Sequence, residues 1–122
     1  MLKKIFIVDD ADFIVDMLSL ILQDAGHEVV GTAFNGAQAL DSIRDLPSAS
    51  TPDIVTVDFN MPKLSGLETI EGIRSLAPNA KFVMISSHAT RTVATMAKDA
   101  GVDAFIVKPF DPQRVLKTIA NL

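Results

Sequence analysis

The stretch Ile54-Val55-Thr56-Val57-Asp58-Phe59-Asn60 sets a short run of β-branched residues directly against a carboxylate. The run has companions of the same make-up in Ile5–Val8, Phe82–Ile85 and Phe105–Val107, with a weaker fifth in Glu28–Ala33. Runs this short and this continuously apolar predict strands covered on both faces. Helical spacing fills the intervals. Ile14, Met17, Leu18, Ile21, Leu22 and Ala25 recur as one apolar stripe and stop at Gly26, the pattern of an amphipathic helix with a glycine stop. Asn35-Gly36-Ala37-Gln38 and Ser65-Gly66-Leu67-Glu68 have the form of capping boxes, and Asp111-Pro112 joins an N-cap to a first-turn proline. Ile70, Ile73 and Leu76 carry the third helix's stripe. Thr90–Ala100 has only Val93, Met96, Ala97 and Ala100 to bury, so the fourth helix is expected to be the least firmly held. Five strands alternating with five helices predict an α/β fold with a parallel sheet and helices on both faces, because parallel strands need crossover connections. Pro47–Pro52 reads as a solvated loop.

Composition bounds what such a fold can do. The 122 residues suit one domain, residues 1–122. Hydrophobic residues make up 48% and charged residues 21%, enough apolar side chain for a core and too little charge for disorder. The net charge of -4 repels polyanions, so no direct nucleic-acid binding is expected. There is no cysteine, which excludes disulfides and thiolate metal sites and fits a cytoplasmic setting. The apolar run near Met1 is too short for a signal peptide or a membrane span, and no membrane insertion is expected.

In an open parallel α/β sheet, ligands bind beyond the carboxyl ends of the strands, near the point where strand order reverses. The first strand ends in Asp9-Asp10, the third in Asp58, the fourth in Ser86-Ser87 and the fifth in Lys108-Pro109. One rim would then hold three acids, two hydroxyls and an ammonium. At about 4 Å and an effective dielectric near 20, each pair of carboxylates repels by roughly 4 kcal/mol. A hard divalent cation relieves this, and an open carboxylate site that keeps several waters suits Mg²⁺ better than caged Ca²⁺. With Mg²⁺ and Lys108, the rim would receive phosphoryl oxygens and a carboxylate could act as nucleophile, giving an aspartyl phosphate. Each piece also has a local reading. Taken alone, Asp9-Asp10 reads more readily as a strand-end turn or helix cap, Asp58 equally as a turn or cap residue, Ser86 and Ser87 as strand-end hydrogen-bonders, and Lys108 as a surface charge.

Ile7-Val8-Asp9-Asp10, Val57-Asp58-Phe59-Asn60-Met61-Pro62 with Ser65-Gly66-Leu67, Met84-Ile85-Ser86 and Val107-Lys108-Pro109-Phe110 together resemble the receiver domains of two-component response regulators. The resemblance implies a flavodoxin-like (βα)5 doubly wound fold with strand order 2-1-3-4-5. It implies a switch in a His-to-Asp phosphorelay, possessing no enzyme activity beyond its own phosphotransfer and autodephosphorylation. Asp58 is then the phosphoacceptor, and its donor is a phosphohistidine on a sensor histidine kinase or phosphotransfer domain. Asp10, Asp58 and the Asn60 carbonyl become Mg²⁺ ligands, with Asp9 acting mainly through water. Lys108 contacts a phosphoryl oxygen, through a cis bond to Pro109. Ser86 is the switch hydroxyl and Phe105 the coupled aromatic, replacing the family's frequent tyrosine; a core phenylalanine is the alternative. A downstream target binds the face made by the fourth helix, fifth strand and fifth helix, in chemotaxis or another pathway. Asn60 and His88 occupy positions that tune phosphoryl lifetime, although His88 reads equally as an exposed residue. His27, just past a helix stop, is expected at the surface.

Two rivals remain open at this point. A phosphohydrolase resembling the haloacid dehalogenases also uses an aspartate, Mg²⁺ and a lysine, but it needs a second acid where Asn60 stands. A receiver used only as a binding scaffold typically lacks an acid or the lysine. The last helical segment runs to Leu122, so a stand-alone regulator is expected, and an excised receiver would read the same.

Overall fold

The computed structural model describes residues 2–61, 64–88 and 90–122; Pro62, part of the motif after Asp58, lies outside them. The elements are β1 (Lys4–Val8), α1 (Asp12–Asp24), β2 (Glu28–Ala33), α2 (Gly36–Arg44), β3 (Ile54–Asp58), α3 (Gly66–Leu76), β4 (Lys81–Ser86), α4 (Arg91–Asp99), β5 (Ala104–Val107) and α5 (Pro112–Ala120). All strand pairs are parallel and the order is β2-β1-β3-β4-β5, as the resemblance implied. Each strand begins within a residue of its apolar run.

Side chains alternate across the sheet and divide the core in two. Phe6, Val8, Val55, Val57, Phe82 and Met84 face α2, α3 and α4. Ile5, Ile7, Ile54, Val83, Ile85 and Ile106 face α1 and α5. Both faces are covered, which is why the runs are continuously apolar. Thr56 lies between Ile7 and Val83 in the ladder, and its buried hydroxyl has no hydrogen-bond partner. The β1–β2 register shifts between Ile5 and Phe6, which pair with Val29 and Gly31. Val30 is thus an extra residue, and a Cβ on Gly31 would lie 2.5 Å from the Phe6 ring.

The expected helix starts are present. Ser65 and Glu68 complete a reciprocal capping box, and Asp111 accepts from the Arg114 amide with Pro112 in the first turn. Asn35 accepts from the Gln38 amide, but the Gln38 side chain accepts from Phe34 rather than from Asn35.

Several expectations about burial need correction. In α1 the buried residues are Ile14, Val15, Leu18 and Leu22; Met17 is exposed, and so are Phe13 and Leu20. Leu76 and Met96 are also exposed, so α4 buries only Val93 and Ala97. The Pro47–Pro52 loop is solvated as expected, with a 3-10 turn at Ser48–Ser50; only Pro52, at its end, is buried. His27 is half-buried, its Nδ1 accepting from the Lys3 amide at 3.0 Å; burial, followed by neighbouring positive charge including Lys3, lowers its pKa. Among the described residues no helix is long and apolar enough to cross a membrane.

Candidate functional site

The carboxyl ends of β1, β3, β4 and β5 bring the expected rim together. Asp9 and Asp10 leave β1, Asp58 closes β3, and Lys108 directly follows β5 and is joined to Pro109 by a cis bond. One carboxylate oxygen from each of Asp9, Asp10 and Asp58 lies within 4.8 Å of the others. Asp9 is 1% and Asp58 7% exposed, whereas Asp10 faces solvent.

Lys108 joins two of the acids, its Nζ donating to Asp9 Oδ2 at 2.8 Å and to Asp58 Oδ1 at 3.4 Å. Asp9 Oδ1 accepts from the Ala11 amide at 3.0 Å, in the turn before α1. The turn reading and the rim reading of Asp9 therefore both hold, and both of its oxygens are occupied. Asp58 is pushed up from 3.8 to about 6. Burial is the largest cause and the Asp9 carboxylate the second; Lys108 opposes them, and Asp10 adds a hydrogen bond and its charge. The donor set is all oxygen, anionic, crowded and open on the Asp10 side, which fits a hard divalent cation.

Around the acids, Ser86 is fully buried and its Oγ accepts from the His88 amide at 3.0 Å. Its own carbonyl accepts from the Lys108 amide at 2.8 Å, which ties the switch candidate to the lysine through the backbone. Asn60 and His88, both exposed, meet across the rim, the Asn60 amide nitrogen 3.2 Å from either ring nitrogen. The Phe59 ring lies against His88, 6.4 Å between centroids. His88 is thus exposed and also part of the rim. Phe105 is half-buried and packed against the core on the α4 side.

Gly66 is a rim residue that sequence reasoning treated only as part of a helix start and a motif. A Cβ there would lie 2.3 Å from the Asp58 carbonyl and 3.0 Å from Phe59 Cα, and its amide donates to the Phe59 carbonyl at 3.1 Å. Only glycine lets the first turn of α3 press on the backbone that carries Asp58. The signal was present in the glycine's position eight residues past the acid, but the contact itself is not visible in spacing.

Comparison with known proteins gives concordant findings. Residues 5–120 match the response regulator receiver domain family. Chemotaxis protein CheY of Thermotoga maritima is 41% identical over 117 residues, covering 96% of this chain and 94% of that protein. CheY of Bacillus subtilis is 39% identical over 119 residues, covering 98% and 96%. Among solved structures, a CheX-CheY-BeF3-Mg+2 complex from Borrelia burgdorferi superposes with a TM-score of 0.87 at 32% identity, covering 96% of this chain and 86% of that one.

Proposed function

The chain belongs to the response regulator receiver domain family, and from that premise we propose that it is a phosphorylation switch whose acceptor is Asp58. The observation that carries this reading is the grouping of Asp9, Asp10 and Asp58 oxygens within 4.8 Å beside the Lys108 ammonium. A phosphohistidine of a sensor kinase or phosphotransfer domain is the donor. The phosphorus–nitrogen bond breaks, a bond from phosphorus to a carboxylate oxygen of Asp58 forms, and the imidazole leaves.

Asp10, Asp58 and the Asn60 carbonyl would hold Mg²⁺. Asp9, whose two oxygens already accept from Lys108 and Ala11, suits a water-mediated role. Mg²⁺ supplies charge neutralisation for the carboxylates and the phosphoryl oxygens when bound. Lys108 then exchanges its long contact with Asp58 for a phosphoryl oxygen. Ser86, buried at the end of β4, turns its hydroxyl hydrogen to the same group while its oxygen still accepts from His88. The half-buried Phe105 follows, and the α4–β5–α5 face changes its affinity for a target protein. This is a population shift driven by the added phosphoryl contacts. The exposed Asn60–His88 pair at the rim would tune how readily water reaches the acyl phosphate, and so its lifetime. The CheY relatives favour chemotaxis as the setting and a cytoplasmic location, and the CheX-CheY pairing favours regulation by protein contact.

The test is intact mass after incubation with a small-molecule phosphodonor, with and without Mg²⁺. A Mg²⁺-dependent gain of one phosphoryl group that vanishes in Asp58→Asn is expected. No gain in the wild type would favour a scaffold, and steady release of phosphate from unrelated esters would favour a phosphohydrolase.

A further inference from the structure

At the opposite ends of the strands from the acidic rim, side chains lace neighbouring strands together. Asp53, the residue before β3, donates its amide to the Lys4 carbonyl and accepts from the Lys4 amide on Oδ2 at 2.8 Å. Asp103, the residue before β5, treats Phe82 of β4 in the same way, its amide donating to the Phe82 carbonyl and its Oδ2 accepting from the Phe82 amide at 2.8 Å. The third lacing residue is His27, just before β2. Its Nδ1 accepts from the Lys3 amide at 3.0 Å, and the next amide along, that of Glu28, donates to the Lys3 carbonyl.

The end of α1 sets the place of this ring. Gly26 turns the chain with φ 91; its amide bonds the Gln23 carbonyl and the His27 amide bonds the Leu22 carbonyl at 3.0 Å, the two bonds of a Schellman stop. Leu2 lies on the same turn, since a Cβ on Gly26 would stand 3.1 Å from its Cδ2.

The three acceptors differ in what a proton does to them. A protonated carboxyl keeps an acceptor oxygen, whereas imidazolium has no acceptor, because both ring nitrogens then carry hydrogen. The charged groups at this end are Lys3 and Lys4 of the first strand's edge, Glu28 of β2 and Asp53, which line one open hollow beside Gly26, and Asp24 at the end of α1. Burial of the ring opposes its protonation most, followed by the positive charges of the amino terminus and Lys3.

We infer that His27 is a proton-operated latch on residues 2–3: neutral, it ties Lys3 to the turn after α1, and protonated, it releases Lys3 and with it Leu2. The latch stands at the far ends of the strands from Asp58 and does not depend on the phosphorylation reading. Because the ring's pKa in the fold lies below the ordinary 6.5, the open arrangement binds the proton more readily than the closed one. Closure is therefore complete above 6.5 and is lost as pH falls through the lowered value.

Amide shifts and hydrogen-exchange protection of the full chain from about pH 8 to about pH 5, with the ring carbon shifts of His27, test this. In the wild type, protection at the Lys3 amide should fall about tenfold, as loss of one hydrogen bond allows, with the same midpoint as the ring. The Phe82 amide, held by Asp103, should keep its protection. His27→Asn puts an acceptor oxygen at the position of Nδ1 without a titrating group, and should hold Lys3 throughout. His27→Phe has no acceptor, and near pH 8 should leave Lys3 as free as it is in the wild type near pH 5. Wild-type Lys3 protection that is unchanged through the ring's titration, or an equal loss in His27→Asn, overturns the latch. So does an equal loss at Phe82, which would mean that this end of the sheet opens as a whole. Should His27→Phe not fold, the wild-type and His27→Asn profiles decide.

Discussion

Replacing Asp58 by asparagine should end phosphorylation and at the same time make the metal-free protein more stable. The carboxyl stands at about 6 in the fold against an ordinary 3.8, because it is buried beside Asp9. Since the folded value is the raised one, the unfolded chain releases this proton first as pH rises. Stability carries no penalty below 3.8, falls from there upward, and bears the full penalty above about 6. At about 1.36 kcal/mol per pKa unit the whole shift corresponds to roughly 3 kcal/mol, and near pH 5 the linkage relation leaves about half of it. The rim is open on the Asp10 side and water screens it, so a gain of about 1–3 kcal/mol is expected for Asp58→Asn near pH 7.5, or roughly 3–5 °C in Tm per kcal/mol. Urea and thermal unfolding followed by circular dichroism in EDTA, near pH 7.5 and near pH 5, measure it. Mg²⁺ should narrow the gap by stabilising only the wild type. A variant less stable than wild type near neutral pH would refute the reasoning. So would a gain of the same size at both pH values, since a titration cannot produce it.

Four other substitutions, one of them a control, probe separate parts of the molecule. Thr56→Val removes a buried hydroxyl that has no partner at nearly constant shape, and should raise unfolding stability by about 1–2 kcal/mol in urea titrations without altering phosphorylation. Lys108→Met leaves the buried Asp9 carboxylate without its ammonium; a loss of about 3–5 kcal/mol is expected in EDTA, partly recovered by Mg²⁺, together with loss of beryllofluoride-induced amide shifts at Ser86. Gly66→Ala drives a methyl into the Asp58 carbonyl, and should lower stability by about 1–3 kcal/mol and slow phosphoryl uptake from a small donor, whereas alanine at Gly72, whose nearest neighbours are side-chain atoms of Leu40, should slow uptake little.

Much of the fold was readable because strands covered on both faces leave continuous apolar runs, and because helix caps have side-chain signatures. The rim was readable for a related reason: in a parallel sheet all strands end on the same side, so Asp9, Asp58, Ser86 and Lys108 could be placed together from their positions alone. Periodicity did not say which apolar residues find a partner. Met17 fits the α1 stripe yet stays exposed, while Val15, off that stripe, is buried, because coverage depends on where α5 and the sheet come to lie. Pairings across distant segments were equally hidden. Neither the Asn60–His88 contact nor the reach of Arg74 to Ala100 has a local pattern, since each depends on two loops or helices arriving at one place.

The shift of register between β1 and β2 bears on how this sequence can diverge. Gly31 is bare because the Phe6 ring occupies the volume a side chain would need, so neither position can drift independently. A larger residue at 31 should be tolerated only alongside a smaller one at 6, and phenylalanine at 6 should demand glycine at 31. In a randomised library selected only for folding, these two positions should therefore co-vary although they lie 25 residues apart in the chain, leaving a trace of the bulge in sequence statistics alone.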